Sequence, residues 1–292
     1  MYGRLPANSG LCTLEAMLTR QLDSSKPVRI IPLKAFSDNY IWVIYSPDGS
    51  KVAVVDPGDS RPVIEFLEEN ELSLDSILVT HYHNDHIGGV QELKNRYHCH
   101  VYASRHDQLS FTDTELDEDD TVSLFDDSYQ FSILHLPGHT MGHIGYFCQH
   151  LSGHDLQGQS LVFCGDTLFR AGCGRMFEGT PDIFHHSLQK LAQLPPSTLV
   201  YCTHEYTMAN IAFAKTVEPD NADLLELEQN CQKLREQDLE TLPSTIDSEL
   251  RTNPFLRCTE STVIKTAERA EHKSLSDPVE TFATIRQLKD NF

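Results

Sequence analysis

Four potential metal ligands fall within six positions in Thr80-His81-Tyr82-His83-Asn84-Asp85-His86. Imidazole nitrogens and carboxylate oxygens are the donors that divalent transition ions take. The spacing restricts the backbone. In a strand, 81, 83 and 85 would share a face and 86 would point away, whereas in a helix residues two apart do not face each other. All four converge only if the segment is a loop, and the buried run at 76–79 puts that loop at a strand end. His81 and His83 can then serve one ion and Asp85 and His86 a second, while Gly88-Gly89 lets the chain turn tightly into the next helix.

Three further pieces follow predicted strands. Pro137-Gly138-His139-Thr140-x-Gly142-His143 comes after the strand at 129–136, Cys164-Gly165-Asp166-Thr167 after 160–164, and His204-Glu205-Tyr206 after 198–202. Each alone is a common turn or surface pattern. With the first segment they supply five histidines (His81, His83, His86, His139, His204) and two aspartates (Asp85, Asp166), a donor set for two ions if one carboxylate is shared. Only a carboxylate has two oxygens able to bridge, and Asp166 is assigned that role. His143 is expected to support the site rather than ligate. A bound ion pair lowers the pKa of water from 15.7 toward about 7 and leaves a Lewis acid for a substrate carbonyl. The predicted chemistry is hydrolysis by metal-held hydroxide. No Gly-x-Ser-x-Gly elbow offers a serine nucleophile instead.

The elements that must position these residues are legible as periodicity. Short branched or aromatic runs at 29–33, 41–45, 51–55, 76–79, 100–103, 129–136, 144–148, 160–164 and 198–202 predict strands. Helical spacing through Val63, Ile64, Phe66 and Leu67, with Ser60 as the expected cap of a helix of about ten residues, and at 89–97 alternates with them. After Tyr206 strand signals stop, and 208–217, 223–237 and 279–289 read as helices, the last with an Asp277-Pro278-x-Glu280 start. Residues 1–27 are expected to be an extension, 28–206 a metal-binding domain and 207–292 a helical domain. The acidic stretch 113–127 reads as a solvated loop without the spacing of a calcium-binding hand.

The 292 residues suffice for two cores, and no apolar run approaches a membrane span. The formal charge of -20 opposes binding to nucleic acid or anionic membranes. Eight cysteines without a Cys-x-x-Cys pair read as reduced thiols, which predicts a cytoplasmic protein, expected to be a monomer. Against this acidic background an anionic substrate would need local cations to hold it.

The four motifs resemble those of the metallo-β-lactamase superfamily. Within it, the chain resembles the hydroxyacylglutathione hydrolases (glyoxalase II) through 171–180 (Ala-Gly-Cys-Gly-Arg-Met-Phe-Glu-Gly-Thr), His204-Glu205-Tyr206-Thr207, Asn253-Pro254-Phe255-Leu256-Arg257 and the closing Arg286-x-x-Lys289-Asp290-x-Phe292. The resemblance runs from about Val28 to the last residue. It implies an α+β fold, an αββα sandwich with a C-terminal helical domain that helps bind glutathione. It further implies that His81, His83 and His139 hold one divalent ion, that Asp85, His86 and His204 hold the other, and that Asp166 bridges. Zinc is the first expectation, with iron and manganese as alternatives. Glutathione contacts would fall on Arg175, Tyr206, Arg286 and Lys289, with Phe177 standing where some members place a tyrosine hydroxyl. Asp85 and Asp166 would be the catalytic carboxylates, and the implied substrate is an S-(2-hydroxyacyl)glutathione such as S-D-lactoylglutathione, in the second step of methylglyoxal detoxification. Rival readings are a lactonase, β-lactamase or persulfide dioxygenase of the same superfamily, disfavoured by the helical tail, and a metal-binding protein without turnover.

Overall fold

The computed structural model describes residues 30–151 and 160–292. The expected extension at 1–27 lies outside the described residues.

Two six-stranded sheets form the centre. The first contains β1 (Ile30–Ala35), β2 (Asn39–Tyr45), β3 (Lys51–Val55), β4 (Ser73–Leu78), β5 (His100–Ser104) and β6 (Thr114–Leu116), in that order. The second is built from β7 (Thr121–Leu124), β8 (Tyr129–His135), β9 (Ile144–Leu151) and β10 (Leu161–Gly165). A two-strand ribbon follows, β11 (Leu168–Phe169) with β12 (Gly172–Cys173), and then β13 (Leu199–Cys202) and β14 (Ser244–Thr245) complete the second sheet in the order β14-β13-β10-β9-β8-β7.

The layering can be read from β2, which is buried along its whole length. Successive strand side chains point to opposite faces. Tyr40, Trp42 and Ile44 therefore enter the core shared with β8, β9 and β10, where Phe131, Tyr146 and Phe163 meet them. Ile41, Val43 and Tyr45 enter a separate core closed by Val63 and Leu67 of α1 (Ser60–Glu69) and by Val90 and Leu93 of a helix at Val90–Tyr97. A strand buried on both faces is what a middle layer of a sandwich requires. The helix at Pro181–Ala192, which the periodicity left unassigned, packs Phe184, Leu188 and Leu191 into the larger core.

Three expectations are corrected. α1 is capped by Asp59, whose carboxylate accepts the Arg61 N–H at 2.9 Å, while Ser60 is the first helical residue. The acidic stretch is not simply a solvated loop: in β7 the exposed Thr121 and Ser123 alternate with the buried core residues Val122 and Leu124, and Leu116 of β6 joins the same core. Acidic residues on either side, Asp117–Asp120 and Asp126-Asp127, concealed a half-buried strand whose own outward residues are the uncharged Thr121 and Ser123. The tail also returns a strand, since β14 pairs antiparallel with β13 and so ties the helical region to the second sheet.

The expected tail helices appear at Thr207–Val217, Ala222–Arg235 and Pro278–Asp290, joined by two the periodicity did not show, Ile246–Thr252 and Ser261–Glu271. Asp277 accepts the Val279 N–H, as its Asp-Pro start predicts. Two buried polar side chains seat this region. Asn253 donates to the carbonyls of Phe169 and Gly172 at 3.2 and 2.8 Å, and Glu205 accepts from Tyr40 and Thr241.

Candidate metal centre and substrate rim

The site lies where strand ends of both sheets meet. β4 leads through Thr80 to His81 and His83. The all-loop expectation is corrected there, because Asp85 and His86 sit on a short helix, Asn84–Ile87, with His83 at its N-cap position. β8 leads to His139, β10 to Asp166 and β13 to His204. Donor atoms of His81, His83 and His139 lie within 4.8 Å of one another, as do those of Asp85, His86 and His204 and those of His81, His86 and Asp166. Asp166 stands between the groups, with Oδ2 3.5 Å from His139 Nε2 and 3.3 Å from His204 Nε2, and Oδ1 3.5 Å from His86 Nε2. His143 takes a different position. Its Nε2 accepts the Asp166 backbone N–H at 3.1 Å, and its ring stacks on His81 at 4.8 Å.

Outer partners fix the rings. His81 Nδ1 meets Thr80 Oγ1 at 3.1 Å, His86 Nδ1 meets Asp56 at 2.9 Å, His139 Nδ1 donates to the Arg175 carbonyl at 2.7 Å, and His204 Nδ1 meets Asp38 at 2.8 Å. Thr80 Oγ1 itself donates to Asp56, so its oxygen is the acceptor for His81. With an ion bound, each of these four rings would keep its proton on Nδ1 and turn an Nε2 lone pair inward. His83 differs in presenting Nδ1, 3.0 Å from Nε2 of both His81 and His139. Asp38 and Asp56 carry no ligand-like spacing and were missed. The one available signal was their place, at the turn after β1 and just past the end of β3.

The electrostatics divide the centre. Burial holds His81 well below the ordinary imidazole pKa and also lowers His83 and His139. Burial likewise opposes charge on His86 and His204, but Asp166 outweighs it, with Asp56 acting on His86 and with Asp85 and Asp38 on His204, pushing them up to about 10 and about 11. Asp166, although burial opposes its charge, is held well below the carboxylate range by His86 and His204. The result is a neutral three-imidazole set beside a carboxylate-rich set.

This centre suits divalent cations. His86 Nε2 and Asp166 Oδ1 are buried without a hydrogen-bond partner, and converging lone pairs at this separation need a cation to be satisfied. Close backbone approach shapes the surroundings. A Cβ on Gly58 would lie 1.9 Å from the Asp85 carbonyl oxygen, and one on Gly174 would lie 1.8 Å from that of Asp166.

The expected substrate residues differ in exposure. Phe177 is exposed and packs edge-on to His83 and His139, with ring centroids at 5.5 and 5.3 Å. Arg175 is exposed and lies over the Phe177 ring. Tyr206 stacks flat on His204 at 4.6 Å. Lys289 reaches the Ala209 carbonyl at 3.2 Å, and burial together with nearby Arg286 lowers its pKa. Arg286 is buried instead: Nη1 donates to the Cys173 and Gly174 carbonyls at 3.0 and 3.3 Å, Nη2 pairs with Asp290, and the guanidinium lies over Phe255.

Fold and site together define a protein of the metallo-β-lactamase class: residues 36–204 match the family model described as the metallo-beta-lactamase superfamily. Residues 205–292 match the model described as the hydroxyacylglutathione hydrolase C-terminus. The chain is 47% identical over 266 residues to a hydroxyacylglutathione hydrolase of Pseudomonas aeruginosa, covering 91% of this chain and 100% of the relative. It is 43% identical over 265 residues to that of Nitrosomonas europaea, covering 91% and 97%. A solved structure of TTHA1623 in a di-iron-bound form is similar at 25% identity with a TM-score of 0.52, covering 78% of this chain and 100% of that one. The chain belongs to the hydroxyacylglutathione hydrolase family.

Proposed function

We propose that this protein hydrolyses S-(2-hydroxyacyl)glutathione thioesters, S-D-lactoylglutathione among them, to glutathione and a 2-hydroxy acid, the second step of methylglyoxal detoxification. The observation that carries this reading is the meeting of the seven donors under a rim that includes Tyr206, from a tail segment matching the hydroxyacylglutathione hydrolase C-terminus. In this reading His81, His83 and His139 would hold one divalent ion and Asp85, His86 and His204 the other, with Asp166 available to both. Zinc suits these donors, and iron and manganese are the alternatives. When bound, such an ion pair acidifies a water and polarises a carbonyl.

The chain's own residues do the rest. Asp38 and Asp56 hold His204 and His86 in the productive tautomer. Asn39 donates to Asp85 Oδ2 at 3.1 Å, keeping that carboxylate turned inward to orient the attacking water. Arg175, Tyr206 and Lys289 receive the glutathione moiety, whose carboxylates need local positive charge in an acidic protein. Phe177 offers a ring face and no hydroxyl. Arg286 lies beneath this surface and braces the Cys173 and Gly174 carbonyls just before Arg175. A thiolate leaves readily, so no dedicated acid is required.

No helix among the described residues is long and apolar enough to cross a membrane. Seven free, buried cysteines among the described residues fit the reducing cytoplasm we propose as its compartment, as a monomer.

The test follows loss of thioester absorbance with S-D-lactoylglutathione, alongside elemental analysis. Turnover with two firmly held ions, lost on chelation and in Asp166→Asn, is expected. Turnover that survives chelation, or a metal-replete protein inert toward this thioester, overturns the reading.

A further inference from the structure

We propose that His106, Asp117 and His135 form a further divalent-metal site, separate from the seven-donor centre and independent of the reading above. Their donor atoms lie within 4.8 Å of one another. His106 Nε2 is 3.2 Å from Asp117 Oδ1, and the His106 and His135 rings stack with centroids 4.8 Å apart.

The arrangement is held from outside. His135 Nε2 donates to the Met141 carbonyl at 2.9 Å, which leaves the Nδ1 lone pair free for an ion, as the Arg175 carbonyl does for Nε2 of His139. Asp117 is fixed through its own N–H, which donates to Asp120 Oδ2 at 2.8 Å, and Arg105 Nη1 stands 3.5 Å from its Oδ2. Oδ1 also accepts the Glu118 N–H at 2.8 Å, and on its other lone pair an ion would replace the proton that His106 Nε2 now shares with it.

Two imidazoles and one carboxylate select borderline transition ions such as zinc, nickel or copper(II) over calcium or magnesium, which prefer oxygen shells. Three protein donors at the surface leave the remaining positions to water, so an ion reaches the site without entering the catalytic centre. The donors come from the segment after β5, the connection between β6 and β7, and the end of β8. No local motif announces them.

The full chain with its resident ions is dialysed against rising Zn(II) and its metal content measured before and after. One additional Zn(II) per chain is expected, held at low-micromolar concentration and weakened at least tenfold in His106→Gln and in His135→Ala, with the resident ions unchanged. His106 is exposed, so its substitution leaves the fold intact. If the wild type takes up no further Zn(II), or both variants take up as much as the wild type, the site is refuted. The ion count before Zn(II) is added reports separately on the seven-donor centre.

Discussion

Asp56 Oδ2 lies 2.9 Å from His86 Nδ1, with both side chains buried. The same carboxylate accepts the N–H and hydroxyl of Thr80 at 2.8 and 2.7 Å and the hydroxyl of Thr203 at 3.3 Å. One aspartate just past the end of β3 thus anchors the His81–His86 segment and the approach to His204 together. Asp56→Asn should weaken metal retention about 10- to 100-fold, because an amide cannot accept all of these bonds. Metal content after dialysis, with near-ultraviolet circular dichroism as the fold control, checks it.

Gly58 and Gly174 face backbone, which cannot yield to a new Cβ. Gly58→Ala pushes against the Asp85 carbonyl and Gly174→Ala against that of Asp166. Each should cut kcat by at least about 100-fold, since displacement of catalytic groups by about 1 Å carries that cost. Retention of near-wild-type kcat and metal content in either variant would contradict the geometry.

Arg286 and Lys289 should separate by experiment. Arg286→Ala leaves the Cys173 and Gly174 carbonyls without their buried donor and should cost roughly 2–3 kcal/mol of stability as well as raising KM. Lys289→Ala should raise KM several-fold with little change in Tm or kcat. Thermal unfolding and steady-state kinetics on the two single variants distinguish these outcomes.

Tyr206→Phe keeps the ring that stacks on His204 and removes the hydroxyl. The expected result is a several-fold rise in KM at nearly constant kcat. Tyr206→Ala, which also strips packing from His204, should lower kcat too.

Asp107 supplies the pH dependence. Burial, with Glu178 nearby, pushes its pKa up to about 6, and its Oδ2 is buried without a hydrogen-bond partner. The folded state therefore holds this proton more tightly than the unfolded chain, so its contribution is present below about pH 4 and is lost as pH rises through about 6. Asp107→Asn should stabilise the protein at pH 7 by roughly 1 kcal/mol, after allowance for partial solvent screening, and should lose that advantage near pH 4. Denaturant unfolding at the two pH values measures the difference.

The ligand-bearing segments are legible in the chain alone, because each pairs a local His or Asp pattern with a strand just before it, and both signals are short-range. The sequence also carried the family resemblance and three of the described tail helices, whose periodicity is local, as is the Asp277-Pro278 start of the last. Tertiary structure alone decided the partners. Asp56 meets His86 across 30 positions and Asp38 meets His204 across 166, pairings created by strand order and register rather than by spacing. It likewise turned Arg286, indistinguishable from Lys289 as a charge in the sequence, into a buried brace. Burial of a long cation depends on what packs around it, here Phe255 and two carbonyls far away in the chain, and no local pattern contains that.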